Sequence, residues 1–279
     1  MRKTLRIAIQ GEKGSFHDLA ARQYFSSDKL HILPCKTFHA VCRQVSESAA
    51  DFGIMAIENS LAGSILPNYA LIQEFNFTIT GEQYLNIEHH LMALPDQALT
   101  DIKTVRSHPM ALMQCSRFLE EHSYLQQIEW DDTAGSARQI SELREKGVAA
   151  IASQLAAEMS GLKILARNIE DLKINYTRFF IFSKHKDIQN LTGNKASLSF
   201  RIGHYVGSLA AFLNIFSQNH LNLTLIQSVP IPGCPDEYRF HVDVEWHDHA
   251  DFTAALNHTK KNTQEVHILG IYEKSKIDL

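Results

Sequence analysis

Short apolar runs that end on a small polar residue and pass directly into a helical pattern constrain this chain most. Leu5–Ile9 leads through Gly11-Glu12-Lys13-Gly14-Ser15 into a helix over Phe16–Phe25, and Phe52–Ile57 leads to Glu58-Asn59-Ser60. A helix from about Ser64 follows, with Ile65, Tyr69 and Ile72 at helical spacing. Ile102–Val105 leads to Ser107-His108-Pro109 and a helix to about Glu121. A run near Ile128-Glu129-Trp130 ends in Asp132-Thr133-Ala134-Gly135-Ser136 before a helix over Ala137–Glu145. Val148–Ala152 leads to Ser153 and a helix that stops at Gly161. Runs this short and β-branched read as buried strands. Their alternation with helices predicts an α/β fold with a mainly parallel sheet.

Ser, Thr, Asn and Asp are the preferred helix N-caps, and capping alone accounts for any one junction. In a doubly wound sheet, however, the junctions share one edge, where helix N-termini offer unpaired N–H groups and partial positive charge. The pattern as a whole therefore predicts a cleft for a small anion. It has no P-loop and no G-x-S-x-G elbow, and Gly11-Glu12-Lys13-Gly14 is not a dinucleotide fingerprint.

A net charge of −4 gives no sign of nucleic-acid binding. Cys35, Cys42, Cys115 and Cys234 form no C-x-x-C pair and fit reduced thiols in a cytoplasmic protein. Leu5–Ile9 is too short for a signal-peptide core and contains Arg6, and no run approaches the ~20 apolar residues of a membrane span. His89-His90 and His247-x-His249 are weak metal signals: strand alternation would turn the first pair to opposite faces, and the second shows no third ligand. No metal is expected.

Tyr84–Leu94 alternates polar and apolar residues and reads as a strand crossing between two lobes, about 1–79 with 166–185 and 80–165. The polar stretch Lys184–Asn194 reads as a linker between a first domain, 1–185, and a second, 195–279. In the second, strand Ala196–Ile202, helix Gly207–Asn219, strands Leu223–Val229 and Tyr238–Trp246, helix Ala250–Lys260 and strand Val266–Tyr272 give the βαββαβ order of a ferredoxin-like α+β domain.

Asn175-Tyr176-Thr177-Arg178 opens onto the aromatic run Phe179-Phe180-Ile181-Phe182, which sets a hydroxyl and a fixed positive charge at the mouth of a buried strand. With Gly14-Ser15-Phe16, Glu58-Asn59-Ser60, Ser107-His108-Pro109 with Gln114-Cys115, Thr133–Ala137 and Ala150–Ser153, it completes six motifs in order. On these the chain resembles prephenate dehydratases carrying a C-terminal ACT domain. The resemblance implies a two-lobed catalytic domain like the periplasmic binding proteins. It implies decarboxylation and dehydration of prephenate to phenylpyruvate in phenylalanine biosynthesis. An ACT domain of this kind binds L-phenylalanine as effector and helps form a homodimer or homotetramer.

Aromatisation drives that reaction, so it calls for no metal, redox cofactor or covalent nucleophile. The resemblance assigns catalysis to Thr177, Glu58, Asn59 and Gln114, with Thr177 as donor to the departing hydroxyl, by hydrogen bond or by full proton transfer. Glu58 is an orienter of Asn59, a relay or a cap. Ser15, Ser60, Ser107, His108, Thr133 and Ser136 are candidate substrate contacts. Arg178 is a candidate bidentate carboxylate clamp and Phe179 an apolar wall. His108 is either a structural imidazole or an influence on pH dependence.

Three departures from the family stand out, one of them Gly207-Ser208-Leu209 where Gly-Ala-Leu is usual. Met110 follows Ser107-His108-Pro109 where glutamine is usual, and Gln227-Ser228-Val229-Pro230 replaces a Glu-Ser-Arg-Pro motif. Gly207, Leu209 and Ser228 remain the candidate effector contacts. The sequence leaves arogenate dehydratase open, and also a non-catalytic amino-acid sensor.

Overall fold

The computed structural model describes residues 4–26, 29–184, 192–203, 205–231, 233–234, 237–263 and 265–276. Residues 185–191, most of the expected linker, lie outside that set. The chain is a mixed α/β protein. It opens with β1 (Thr4–Gln10), α1 (Phe16–Tyr24), β2 (Lys29–Cys35), α2 (Phe38–Ser46), β3 (Phe52–Asn59) and the short β4 (Gly63–Ser64). Helix α3 (Leu66–Glu74) has Pro67 in its first turn and no side-chain cap. It is followed by β5 (Thr78–Asn86) and β6 (His90–Ala93). The expected strand over Tyr84–Leu94 is thus two strands, broken at residues 87–89.

Strand β7 (Thr104–Ser107) starts two residues later than the sequence suggests, because Leu99–Asp101 closes a 3-10 turn. The single helix expected up to Glu121 is two, α4 (Pro109–Gln114) and α5 (Ser116–Glu121), separated at Cys115. Then come β8 (Gln126–Glu129), α6 (Thr133–Leu143), β9 (Val148–Ala152), α7 (Gln154–Ser160), β10 (Lys163–Ala166) and β11 (Tyr176–Ser183). Helix α6 begins a full turn before Ala137, because the Asp132 carboxylate accepts the Gly135 N–H at 2.7 Å and caps it there.

One compact unit comprises Met1–Ser64 and Gln83–Phe179. One sheet runs β2-β1-β3-β11-β5, with β1 parallel to both β2 and β3. The second runs β10-β6-β9-β7-β8. In it β7 is parallel to β8 and β9, whereas β6 pairs antiparallel with β9 and β10, so this sheet is mixed rather than mainly parallel. Its two faces are buried separately. Leu91, Val105 and Ile151 meet Leu112 and Leu119, while Met92, Ala150 and Ala152 meet Ala137 and Ile140. The chain closes on itself at Gly11. A Cβ there would fall 2.6 Å from Asp132 Oδ2, and φ is +90°, so only glycine fits.

The other unit comprises Ile65–Glu82 and Phe180–Leu279, bounds that give α3 and most of β5 to the C-terminal elements. Those elements are β12 (Lys195–Arg201), α8 (Ser208–Gln218), β13 (Asn222–Pro230), β14 (Tyr238–Glu245), α9 (His249–Asn262) and β15 (Glu265–Tyr272). They form an antiparallel sheet in the order β13-β14-β12-β15. One face carries Ala196, Leu198 and Phe200 into a core with Phe212, Phe216, Val242, Trp246 and Phe252. The alternate residues of β12 are polar but buried. Lys195 Nζ sits 3.1 Å from Glu82 Oε1, and Ser199 Oγ lies 3.4 Å from Gln73 Oε1. Gly270 passes so close to β5 that a Cβ would strike the Ile79 carbonyl. The polar face is therefore packed against α3 and β5. No helix among the described residues is long and apolar enough to cross a membrane.

Candidate active site

The Asn59 side chain links the end of β3 to the start of β11. Asn59 Oδ1 accepts the backbone N–H of Leu61 at 3.0 Å and of Ala62 at 2.8 Å, which fixes which end of the amide is oxygen. Its Nδ2 then donates to Asn175 Oδ1 at 2.8 Å and to Thr177 Oγ1 at 2.9 Å. Thr177 thus receives a hydrogen bond, and its own hydroxyl hydrogen has no acceptor among the described residues. Asn59 and Thr177 are each 8% exposed, dry enough to strengthen any hydrogen bond made there. Ser60 fastens the same junction, its N–H donating to the Tyr176 carbonyl and its Oγ accepting the Tyr176 N–H.

A cavity of about 330 Å³ adjoins this group. Its walls include Leu61, Ala62, Met110, Gln114, Glu170 and Asn175. Gln114 is held from behind by His89, with Nε2 and Oε1 2.9 Å apart. His89 is buried, and burial holds its pKa below the ordinary value, so the ring is neutral near pH 7. Its Nδ1 meets no partner among the described residues. A buried N–H without an acceptor is rarer than a bare ring nitrogen, so the hydrogen belongs on Nε2 and is donated to Gln114. That leaves the Gln114 amide NH2 for the cavity its side chain lines. The Glu170 carboxylate, also buried, accepts the His89 backbone N–H at 2.8 Å.

Comparison with known proteins bears on what such a site does. A family model described as prephenate dehydratase matches residues 7–187. The chain belongs to the prephenate dehydratase family.

Family members are lyases, and relatives match over nearly the whole chain. A bifunctional N-acyl-homoserine lactone acylase/prephenate dehydratase of Komagataeibacter europaeus is 35% identical, with 96% of each chain covered. A bifunctional chorismate mutase/prephenate dehydratase of Enterobacter agglomerans is 32% identical, over 98% of this chain and 71% of that one. The crystal structure of prephenate dehydratase from Arthrobacter aurescens in complex with L-Phe is similar at a TM-score of 0.82 and 25% identity. That match covers 97% of this chain and 90% of the other.

Several residues of the prephenate dehydratase motifs are placed elsewhere than the sequence suggests. Arg178 follows Thr177 on β11 and so faces the other way, with its guanidinium carbon 5.8 Å from the centre of the Tyr84 ring. This conformation does not set it beside Thr177 as a carboxylate clamp. Glu58 likewise alternates with Asn59 on β3, where it pairs with Ser64 of β4, and its carboxylate has no hydrogen-bond partner among the described residues; Asn59 is oriented by Leu61, Ala62 and Asn175 instead. Ser107 is fully buried and donates to the Ile151 carbonyl at 2.6 Å, and Ser136 is fully buried and donates to the Arg106 carbonyl at 3.0 Å. Both hydroxyls tie elements together. Ser15 caps α1, and His108 caps α4 by accepting the Met110 N–H on Nδ1. Thr133 is the first residue of α6. Phe179 is core, with its ring edge-on to His17 at 5.0 Å.

The structure thus links Asn59, Ser60 and Thr177 in one hydrogen-bonded group, which Asn175 joins to the cavity that Gln114 lines; of the candidate site residues the sequence singles out, Gln114 is the one in that cavity's walls. Sequence reasoning gave no role to Asn175 or His89. Asn175 was within sight as the first residue of the Thr177 stretch, but nothing local says that it meets a residue 116 positions away.

In the C-terminal sheet a second cavity, of about 610 Å³, is walled by Gly207, Leu209, Tyr205, Phe240 and the Arg201–Glu237 ion pair. Ser228 is not among its walls but lies opposite Phe240 in the β13–β14 ladder. Among the described residues no group of three or more His, Cys, Asp or Glu is placed to hold a metal ion.

Proposed function

We propose that this chain converts prephenate to phenylpyruvate with Thr177 as the hydrogen-bond donor to the departing hydroxyl. The ring carboxylate leaves as carbon dioxide, its bonding electrons pass into the ring, and the hydroxyl departs from the opposite carbon, taking up a proton to become water. The observation that carries this reading is the direction of the Asn59–Thr177 bond: with Thr177 Oγ1 already accepting, its hydrogen is the one free to be given. Gln114, steadied by His89, offers N–H donors to a substrate carboxylate or keto oxygen, and Met110 and Leu61 supply an apolar side to the same cavity.

The domain plan that goes with this reading is a two-lobed catalytic domain over 1–185, with lobes of about 1–79 plus 166–185 and 80–165. An ACT domain over 195–279 follows, ferredoxin-like, taking L-phenylalanine near Gly207 and Leu209. The βαββαβ order and the cavity beside those two residues support the second part. So does the L-Phe held by the Arthrobacter relative. A homodimer or homotetramer in the cytoplasm is the accompanying expectation.

Following the formation of phenylpyruvate from prephenate by absorbance tests the assignment, with arogenate offered in parallel and phenylalanine read as its product, and an N-acyl-homoserine lactone offered with the released acid read as its product. Turnover of prephenate at a rate that falls about 10²–10⁴-fold in Thr177→Val is expected, the usual range for a positioned proton donor. A Thr177→Val variant at the wild-type rate removes Thr177 from the mechanism, and preference for arogenate reassigns the substrate.

A further inference from the structure

We infer that Asn175 is a positioning residue for this reaction, holding Asn59 in the one orientation that leaves the Thr177 hydroxyl hydrogen free. The inference rests on the reading of Thr177 as donor. Asn59 Nδ2 has two hydrogens and three acceptors in reach: Asn175 Oδ1 at 2.8 Å, Thr177 Oγ1 at 2.9 Å and the Tyr176 carbonyl at 3.4 Å. With Asn175 present, the two short bonds fill both hydrogens. Without it, the nearest remaining acceptor for the released hydrogen is the Tyr176 carbonyl, and a turn of the amide towards it draws the nitrogen away from Thr177. Thr177 then no longer has its lone pair occupied, and its hydrogen is no longer directed.

Asn175 is itself held fast. It is fully buried, its N–H donates to Asn86 Oδ1 at 3.2 Å, and its carbonyl accepts the Ile87 N–H at 2.7 Å. Its side-chain nitrogen, by contrast, is buried with no acceptor among the described residues. An unpaired buried amide nitrogen is unfavourable and calls for an explanation. A leucine would fill the same space without that cost. What an asparagine supplies here, and a leucine does not, is the oxygen aimed at Asn59.

The test is a double-mutant cycle on the full chain, measuring kcat and KM for prephenate in the wild type, Asn175→Ala, Thr177→Val and the double variant, with Asn175→Asp as the conservative exchange. Asn175→Ala is expected to lower kcat about 10–10²-fold with little change in KM, the scale of a misplaced catalytic group. Asn175→Asp keeps an acceptor oxygen for Asn59 and is expected to recover most of that loss. The double variant is expected to be no slower than Thr177→Val alone, because two changes that act through one hydroxyl do not add. Should Asn175→Ala fail to fold, Asn175→Leu serves the same cycle. Additive losses, or an Asn175→Asp variant as slow as Asn175→Ala, overturn the role of Asn175 while leaving Thr177 as donor. Wild-type speed in Thr177→Val overturns both.

Discussion

Asn59 Nδ2 lies 2.9 Å from Thr177 Oγ1, and the other end of the same amide is fixed by the backbone N–H groups of Leu61 and Ala62. The direction of this bond, and not the mere nearness of the two residues, is what leaves the threonine hydroxyl hydrogen without an acceptor among the described residues. Asn59→Asp tests it with a change of one atom. The carboxylate keeps the oxygen that Leu61 and Ala62 bind, but the other oxygen now accepts, so the Thr177 hydrogen turns back towards it. The expected result is a kcat loss of about 10²–10⁴-fold, close to that of Thr177→Val. A Thr177→Ser variant, which keeps the hydroxyl, should stay much nearer the wild type. Rapid-mix or steady-state absorbance at saturating prephenate reads both, and an Asn59→Asp variant at full speed would refute the directional argument.

His241 links the stability of the C-terminal sheet to pH. Its ring is buried against Tyr69 at 5.3 Å, and Arg239 and Asp243 stand on the same face of β14. Burial away from water, helped by Arg239 and opposed by Asp243, lowers its pKa from 6.5 to about 4. The unfolded chain therefore binds a proton near pH 6.5 that the folded chain refuses until about pH 4. The contribution is complete above pH 6.5 and is lost as the pH falls towards 4, by up to about 3 kcal/mol at ~1.36 kcal/mol per unit. Urea midpoints taken across that window should fall less steeply for His241→Gln than for the wild type. Equal slopes would show that the folded chain takes up this proton as readily as the unfolded one, so that burial does not lower the His241 pKa.

The ion pair between Lys195 and Glu82 is buried on both sides, with Glu245 Oε1 a further 3.3 Å contact to the same ammonium. Such a pair need not add net stability, but removing one member strands the other's charge. Lys195→Met should cost about 3–5 kcal/mol in urea denaturation, and Lys195→Met combined with Glu82→Gln should regain a good part of it. Glu245 keeps Lys274, 2.6 Å away, in every variant. A single and a double variant of equal stability would mean that Glu82 is satisfied without the lysine.

Much of this architecture is legible because its signals are local. The strand-to-helix junctions carry their own caps, as at Ser153, whose hydroxyl accepts the Ala156 N–H. The face opposition of Thr177 and Arg178 follows from strand alternation alone. Strand β2 carries no strong sequence signal, because Pro34 and a single fully buried residue suit an edge strand, which lacks a strong apolar run. The start of α6 was hidden by Gly135, a poor helix former, although Asp132 three residues before is the cap that sets it. The polar residues that alternate along β12 carry no local sign that α3 and β5 cover them. The site is harder still. Asn59, His89, Gln114 and Asn175 belong to segments far apart in the chain, and which hydrogen goes where depends on contacts that no single segment encodes.

The cavity beside Gly207 and Leu209 has the makings of an amino-acid site. Apolar walls from Leu209, Leu213 and Phe240 suit an aromatic ring, while Arg201 and Glu237 offer opposite charges for the carboxylate and ammonium ends. Helix α8 starts at Ser208, so its first-turn N–H groups face the same neighbourhood. The family's usual arginine is absent at Val229, yet Arg239 stands directly across the ladder from that position, paired with Glu265 at 2.8 Å. If L-phenylalanine binds the folded chain here, ligand at 100 times its dissociation constant stabilises it by ~2.7 kcal/mol and raises the melting temperature. Leu209→Trp, which fills the cavity with its own ring, should abolish that rise. A wild-type protein whose melting temperature does not move in millimolar L-phenylalanine excludes this ligand. A shift that survives Leu209→Trp places the ligand elsewhere, because a tryptophan side chain and a bound phenylalanine cannot occupy the same walls.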